Sequence, residues 1–167
     1  ELSGVGHKDF IEMMWYHRTI DIPSSWSGKS VFLNFGAVDF ECEAFVNGVS
    51  VGTHWGGTSS FSFDISGAVQ PGSSHHLVLM VRDELRSGFQ TGGKQCEAFA
   101  SRGCSYTRTT GIWQTVWMEA IDTRGLKSVH VVPDVDSSSF VFIPEYYATA
   151  GDSTLAIEVK EGPAVVA

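Results

Sequence analysis

Basic residues are scarce in this chain. Eleven Lys and Arg stand against 19 Asp and Glu, leaving a net charge of −8. Proteins that hold nucleic acid present a basic face, so this balance argues against a nucleic-acid partner and favours a neutral ligand. Long apolar runs are missing too. None approaches the ~20 residues a membrane-spanning helix needs, and no membrane partner is expected. No secretory leader is read at the N-terminus, which a mature chain would lack in any case. Cysteine occurs only three times, at Cys42, Cys96 and Cys104. An odd count leaves at least one thiol free. Cys96 and Cys104 share one long segment and would be able to pair in an exported chain. Cys42 alternates with Phe40 and Ala44 and reads as a buried core thiol. Without a Cys-x-x-Cys or His-x₃-His spacing, no metal site is expected, and no cofactor. The last absence is helical periodicity: no amphipathic stretch of ten residues appears.

What is present is β alternation. MWYHRTIDIP alternates and ends at Pro23. SVFLNFGAV (30–38) follows the Gly28-Lys29 turn. CEAFVNGVSVG (42–52) carries Asn47-Gly48 between apolar alternations, a strong short-range hairpin signal. SSFSFDIS (59–66) puts Phe61, Phe63 and Ile65 on one face. HHLVLMVRD (75–83) follows Pro71-Gly72, and IWQTVWMEAI (112–121) closes the series. Turn signals at short intervals with no helix predict an all-β chain, an antiparallel sandwich or jelly roll. A boundary falls near Asp122–Gly125, giving domains at 1–122 and 123–167. Beyond it KSVHVVPDV (127–135), SFVFIPEYY (139–147) and STLAIEVKE (153–161) again read as strands. They are too few for a sandwich, and their unpaired edges would favour association, so a homo-oligomer is among the partners considered.

The exception to the alternation is 84–110, about 27 residues long. Structureless loops beyond roughly 12–15 residues are uncommon and usually functional. This one carries Arg86, Phe89, Gln90, Lys94, Gln95, Glu97, Phe99, Arg102, Tyr106 and Arg108. Aromatic faces stack on sugar rings, while Arg and Gln address neighbouring hydroxyls. A mobile surface loop with solvated charges is the competing reading. SYTRTTGIWQTVW (105–117) begins as such a loop and ends as a strand. Trp15, Trp113 and Trp117 read as core rather than platform. Trp55, in the turn-like THWGG, suits either role. Asp39 and Glu41 are expected to bond turn backbone, and Asp64 to cap a turn two residues on. His54, His75 and His76 lack ligand spacing and read as surface. A structural cation at Asp83 and Glu84 is a minor alternative.

Five motifs in order, W-Y-x-R-T, F-G-A-V-D-F, V-N-G-x-x-V-G, F-x-F-D-I and T-G-I-W-Q-T-V-W, resemble the N-terminal sugar-binding domain of glycoside hydrolase family 2, the β-galactosidase and β-glucuronidase family. The resemblance covers about residues 13–121, and 124–167 look like the start of the immunoglobulin-like domain that follows in such enzymes. It implies a jelly-roll β-sandwich of galactose-binding-domain-like type, followed by a partial immunoglobulin-like segment. It also implies two partners: carbohydrate, and a catalytic (β/α)₈ barrel that supplies the two carboxylates, about 5 Å apart, of a retaining mechanism. This sequence has no βα repeat and is short of the ~250 residues of a barrel. The expectation is therefore a non-catalytic chain from a β-galactosidase-like enzyme, with no catalytic residue of its own. In the family a carboxylate six residues before the motif glycine touches sugar. Here that position is Ser105, which puts the contact in doubt. The candidate carbohydrate-binding set is Trp55, Gln95, Glu97, Arg102, Ser105, Tyr106 and Arg108. Three functions compete: an accessory domain finishing one wall of a barrel's active site, an autonomous carbohydrate-binding module, and a structural sandwich that mediates assembly. A periplasmic or extracellular setting fits the resemblance.

Overall fold

The computed structural model describes residues 9–148 and 154–167. The chain divides into two compact units, 1–121 and 122–167. The described part of the first unit is all-β, apart from two single turns of 3₁₀ helix. Its strands are β1 (Met13–Asp21), β2 (Ser30–Phe35), β3 (Val38–Asp39), β4 (Glu41–Val46), β5 (Val49–Trp55), β6 (Phe61–Asp64), β7 (Ser74–Arg82), β8 (Gly111–Ile112) and β9 (Val116–Ile121). One sheet has the order β1-β7-β4-β5 and the other β6-β2-β9, with β3 and β8 paired beside them. These strands all pair antiparallel. The result is the expected all-β sandwich.

Its core follows from the period-two pattern, in which alternate residues point to one face. Val31, Leu33 and Phe35 of β2, Cys42, Ala44 and Val46 of β4, and Leu79 and Val81 of β7 are buried, and Ile65 and Phe63 close the layer. Each large side chain contributes about 1.5–3 kcal/mol by leaving water. Asn47 and Gly48 join β4 to β5 with positive φ (51° and 82°). That places Val46 directly opposite Val49, as the two-residue turn requires. Asp64 accepts the Ser66 backbone N–H at 2.9 Å, the expected cap.

The structure departs from the sequence reading at several places. The strands read as 30–38 and 112–121 are each broken, β2 from β3 and β8 from β9. Phe35 pairs Val116 and Val38 pairs Ile112, so two residues on one strand face three on the other. The extra residue forms a bulge-like break there. At this break Gly36 lies so close to Gln114 that an added Cβ would sit 2.7 Å from the Gln114 Cβ. Trp15, Trp113 and Trp117 are not core residues in this chain: they are 62%, 47% and 44% exposed. The alternation points Val116 and Met118 inward and Trp117 outward. Trp55 is the last residue of β5 rather than part of a turn, and it is exposed. His75 is buried, not a surface residue. Its ring nitrogens lie 2.9 Å from Asn47 Nδ2 and 2.9 Å from the Gln70 backbone N. Cys96 and Cys104 are unpaired: Cys96 is buried with its Sγ 3.3 Å from the Ala100 carbonyl, and Cys104 is exposed. Cys42 is fully buried, as expected.

The second unit holds an antiparallel hairpin of β10 (Leu126–Asp134) and β11 (Ser139–Tyr146), and a smaller one of β12 (Lys160–Glu161) and β13 (Ala164–Val165). A turn donates Gly125 N–H to Asp122 O at 2.7 Å. The strand read over 153–161 is reduced to its last two residues, and Ser153 lies outside the described residues.

Candidate functional site

The 84–110 segment leaves the end of β7 and re-enters the sheet at β8. It is not the structureless loop its composition suggests. Leu85–Ser87 form a 3₁₀ turn. Cys96 N–H donates to Tyr106 O at 2.7 Å, and Tyr106 N–H to Lys94 O at 2.8 Å. These bonds tie the outgoing and returning arms together. Ser105 N–H donates to Arg102 O at 3.0 Å and makes the tip a turn.

Two buried aspartates hold the base of this loop. Asp39, in β3, is 5% exposed, and Asp83, just past β7, is 3% exposed. Gln95 donates from Nε2 to Asp39 Oδ2 at 2.7 Å, and its Oε1 accepts Thr109 N–H at 2.7 Å. Gln90 repeats the arrangement: Nε2 donates to Asp83 Oδ1 at 2.6 Å, and Oε1 accepts Glu84 N–H at 2.8 Å. The adjacent threonines complete it, with Thr110 Oγ1 donating to Asp83 Oδ2 at 2.5 Å and the Thr109 side chain bonding Asp39. Asp39 thus bonds the loop rather than turn backbone, which corrects the sequence expectation. Glu41 opens β4. Burial raises the Asp39 carboxyl above its ordinary value, and the Asp83 charge adds to the effect. The Gln95 and Thr109 hydrogen bonds oppose both.

Gly57 passes directly over this carboxylate. A Cβ there would lie 2.8 Å from Asp39 Cγ, so only glycine fits. The Gly57 carbonyl accepts Trp113 Nε1–H at 2.7 Å, which fixes one exposed indole beside the clamp. A second contact region braces the loop from residues 10–12. The Arg86 and Arg108 guanidiniums lie 3.8 and 3.9 Å from the Phe10 ring centroid, and the Phe99 ring meets Phe10 edge-on at 5.2 Å. Glu12 O accepts Asp83 N–H at 3.0 Å, and the Thr110 hydroxyl oxygen lies 3.2 Å from Ile11 O. Among the described residues no group of three or more His, Cys, Asp or Glu could hold a metal ion.

The model of the glycosyl hydrolases family 2 sugar binding domain matches residues 7–121, more than two-thirds of this chain. The chain belongs to that family. A β-galactosidase of Thermoanaerobacter pseudethanolicus is 26% identical over 129 residues, covering 76% of this chain and 16% of the relative. A β-glucuronidase of Paenibacillus borealis is 35% identical over 78 residues, covering 47% and 13%. Among solved structures, an apo β-glucuronidase of Ruminococcus gnavus superposes with a TM-score of 0.65 at 21% identity, covering 89% of this chain and 26% of that one. A family 2 member from Bacteroides cellulosilyticus gives 0.58 at 18% identity, covering 72% and 15%. The chain spans about a sixth or less of the length of the two curated relatives.

Within this sugar-binding domain the seven sequence-derived candidates separate into groups. Gln95 and Tyr106 are brought together by a parallel bridge, and Arg102 and Ser105 by the turn at the tip. Gln95 spends both ends of its amide inside the clamp. Tyr106 is exposed on the bridge. Arg108 is half-buried against Phe10 and Phe99, with Nη1 3.5 Å from Phe99 O. Glu97 is exposed on the outgoing arm. Trp55 stands on β5, two residues before Gly57. Sequence reasoning missed Asp83 as a loop anchor, the roles of Thr109 and Thr110, and Phe10. The only trace of them in the sequence is the pair of glutamines and the doubled threonine in an otherwise aperiodic stretch.

Proposed function

We propose that this chain is the non-catalytic accessory domain of a β-galactosidase-like retaining glycoside hydrolase. It would support a catalytic barrel and line one wall of its active site with the 84–110 loop. The observation that carries this reading is the clamp. Two buried carboxylates, two amides and two hydroxyls hold a long aromatic loop in one conformation, an investment out of proportion to a surface connection. Membership in the family supports the assignment to a glycosidase. In this reading Tyr106, Arg102, Ser105, Glu97 and Arg108 face the sugar, and Trp55 and Trp113 meet the barrel or its substrate. Residues 123–167 are the opening of an immunoglobulin-like domain. Their β10–β11 hairpin leaves Val132, Val141 and Ile143 exposed on one face, which further strands would cover.

One observation favours a second reading, an autonomous carbohydrate-binding module: the loop is already organised and presents Phe89, Phe99 and Tyr106 to solvent. Preorganised aromatics lower the ordering cost of binding. The test is a tryptophan-fluorescence titration of the folded chain with β-galactosides, β-glucuronides, β-mannosides and short plant-type oligosaccharides. The accessory reading expects no saturation up to millimolar sugar. Saturable binding abolished by Tyr106→Ala or Arg108→Ala replaces it with the module. In a whole enzyme carrying this domain, Tyr106→Ala is expected to lower kcat/KM by about tenfold or more, some 1.4 kcal/mol. An unchanged kcat/KM there would overturn the active-site role.

A further inference from the structure

The four-stranded sheet has an outer face as well as a core face. β4 buries Cys42, Ala44 and Val46, and β7 buries Leu79 and Val81, so alternation turns their neighbours outward. The strand register lines these neighbours up. Met13, Arg82, Glu41 and Trp55 stand in one row, and Trp15, Met80 and Glu43 in the next. Phe45 lies two residues along β4 from Glu43, its ring centroid 6.4 Å from that of Trp15. Trp15 and Trp55 are 62% and 60% exposed and Met13 is 47% exposed. Scattered apolar residues on a surface are ordinary, but large ones gathered on one face within a polar surround mark a binding surface. Neither indole belongs to the core cluster, so core packing does not account for them.

Three features choose the occupant. The first is charge. Glu41 and Glu43 both face outward, and Arg82 already lies 3.8 Å from Glu84. The face is acidic on balance and disfavours an anionic partner. The second is chemistry. Indoles stack on the apolar faces of sugar rings, and carboxylates are strong acceptors for hydroxyls. Glu43 accepts one such bond within the chain, from Ser50 Oγ at 2.6 Å. The third is continuity. The Met13–Trp55 row is the end of the sheet from which the 84–110 loop leaves. Glu12, next to Met13, lies 3.3 Å from Arg86 and accepts the Asp83 N–H. Trp55 is two residues from Gly57, which packs on Asp39.

The spacing sets the size of the occupant. Three strand intervals of ~4.8 Å separate β1 from β5, and Trp15 is set two residues along from the row of Trp55, so the two indoles are rooted about 16 Å apart. No single sugar ring reaches both. We propose that the outer face of the β1-β7-β4-β5 sheet binds a neutral polysaccharide chain, stacked on Trp15 and Trp55 and hydrogen-bonded by Glu41 and Glu43, where that chain runs on from the 84–110 loop. The choice of a glycan rests on the sugar-facing loop proposed above. Short sugars reach one indole at a time and are expected not to saturate, whereas a polymer engages both.

Affinity electrophoresis of the chain in native gels tests this, with galactomannan and β-galactan as neutral polymers and polygalacturonate as the acidic one. A neutral polymer is expected to retard the chain, and polygalacturonate is not. Trp15→Ala and Trp55→Ala should each weaken the retardation about fivefold or more, while Tyr106→Ala largely keeps it. No retardation by either neutral polymer, equal retardation by polygalacturonate, or unchanged retardation in either tryptophan variant overturns the proposal. Oxidative footprinting of the unaltered chain makes the test independent of the variants' folding. The neutral polymer should shield Trp15 and Trp55 and leave Trp117, on the other sheet, as reactive as before. Absence of shielding at Trp15 and Trp55 refutes the face. A concentration-dependent dimer in sedimentation that Trp15→Ala abolishes gives the face to a second copy of the chain and also refutes it. Binding lost in Tyr106→Ala but kept in both tryptophan variants refutes the face and leaves the loop. An unchanged kcat/KM for Tyr106→Ala in a whole enzyme refutes the loop and leaves the face, so the two failures are separate results.

Discussion

Replacing Gln95 with alanine tests the clamp at its most connected residue. The substitution removes the 2.7 Å bond to Asp39 Oδ2 and the acceptor for Thr109 N–H, also at 2.7 Å. A hydrogen bond to a charged group is worth about 1.5–3 kcal/mol. Asp39 is too buried for water to take the place of the lost donor without rearrangement. The Thr109 amide lies on an exposed residue and regains water, so its bond adds no more than about 0.5–1 kcal/mol. Against these, the freed side chain recovers up to about 1.5 kcal/mol of rotamer entropy. The net expectation is a loss of about 0.5–4 kcal/mol in urea unfolding, read from the midpoint with an unchanged slope. Hydrogen exchange should quicken at Thr109, Tyr106 and Cys96, while the β2–β9 amides change only in step with global stability. Gln95→Glu is expected to cost more, because it sets a second carboxylate against Asp39. The reasoning is refuted if Gln95→Ala loses less than about 0.5 kcal/mol and the three loop amides keep their protection.

Other consequences are open to measurement. Gly57→Ala forces a Cβ against the Asp39 carboxylate and should destabilise by about 1–3 kcal/mol. A neutral urea midpoint would show that the carboxylate moves aside freely. Leu33→Ala empties a site that is 1% exposed and is expected to cost about 2–5 kcal/mol, with Tm as the readout. In thiol titration of the native chain only Cys104 should react promptly. All three cysteines should react in denaturant, and fast labelling of Cys96 would contradict its burial. Burial pushes the Cys42 thiol up to about 12 from 9.0. The unfolded chain therefore ionises first, and stability should decline as pH rises above 9. Cys42→Ala should flatten that part of the urea-midpoint profile.

What the sequence determined by itself is what repeats locally. Alternation of apolar and polar residues marked the sandwich strands, and Asn47-Gly48 marked a turn that few other pairs can adopt. The ordered motifs also carried the resemblance to family 2. Each of these depends on neighbours within a few positions. The tertiary structure alone decided the rest. Alternation in 112–121 separates two faces but does not say which is inside, so the tryptophans were read inward when Val116 and Met118 are the residues that pack. The Trp113–Thr115 break depends on a length mismatch with β2 and β3, which is invisible in either strand taken alone. The loop was aperiodic, and its order comes from partners far away in the chain: Gln95 meets Asp39 across 56 positions, and Thr110 meets Asp83 across 27. A buried carboxylate needs donors, but the need can be met from anywhere the fold brings a donor within reach. Only the folded chain shows that Thr109 and Thr110 divide between two aspartates.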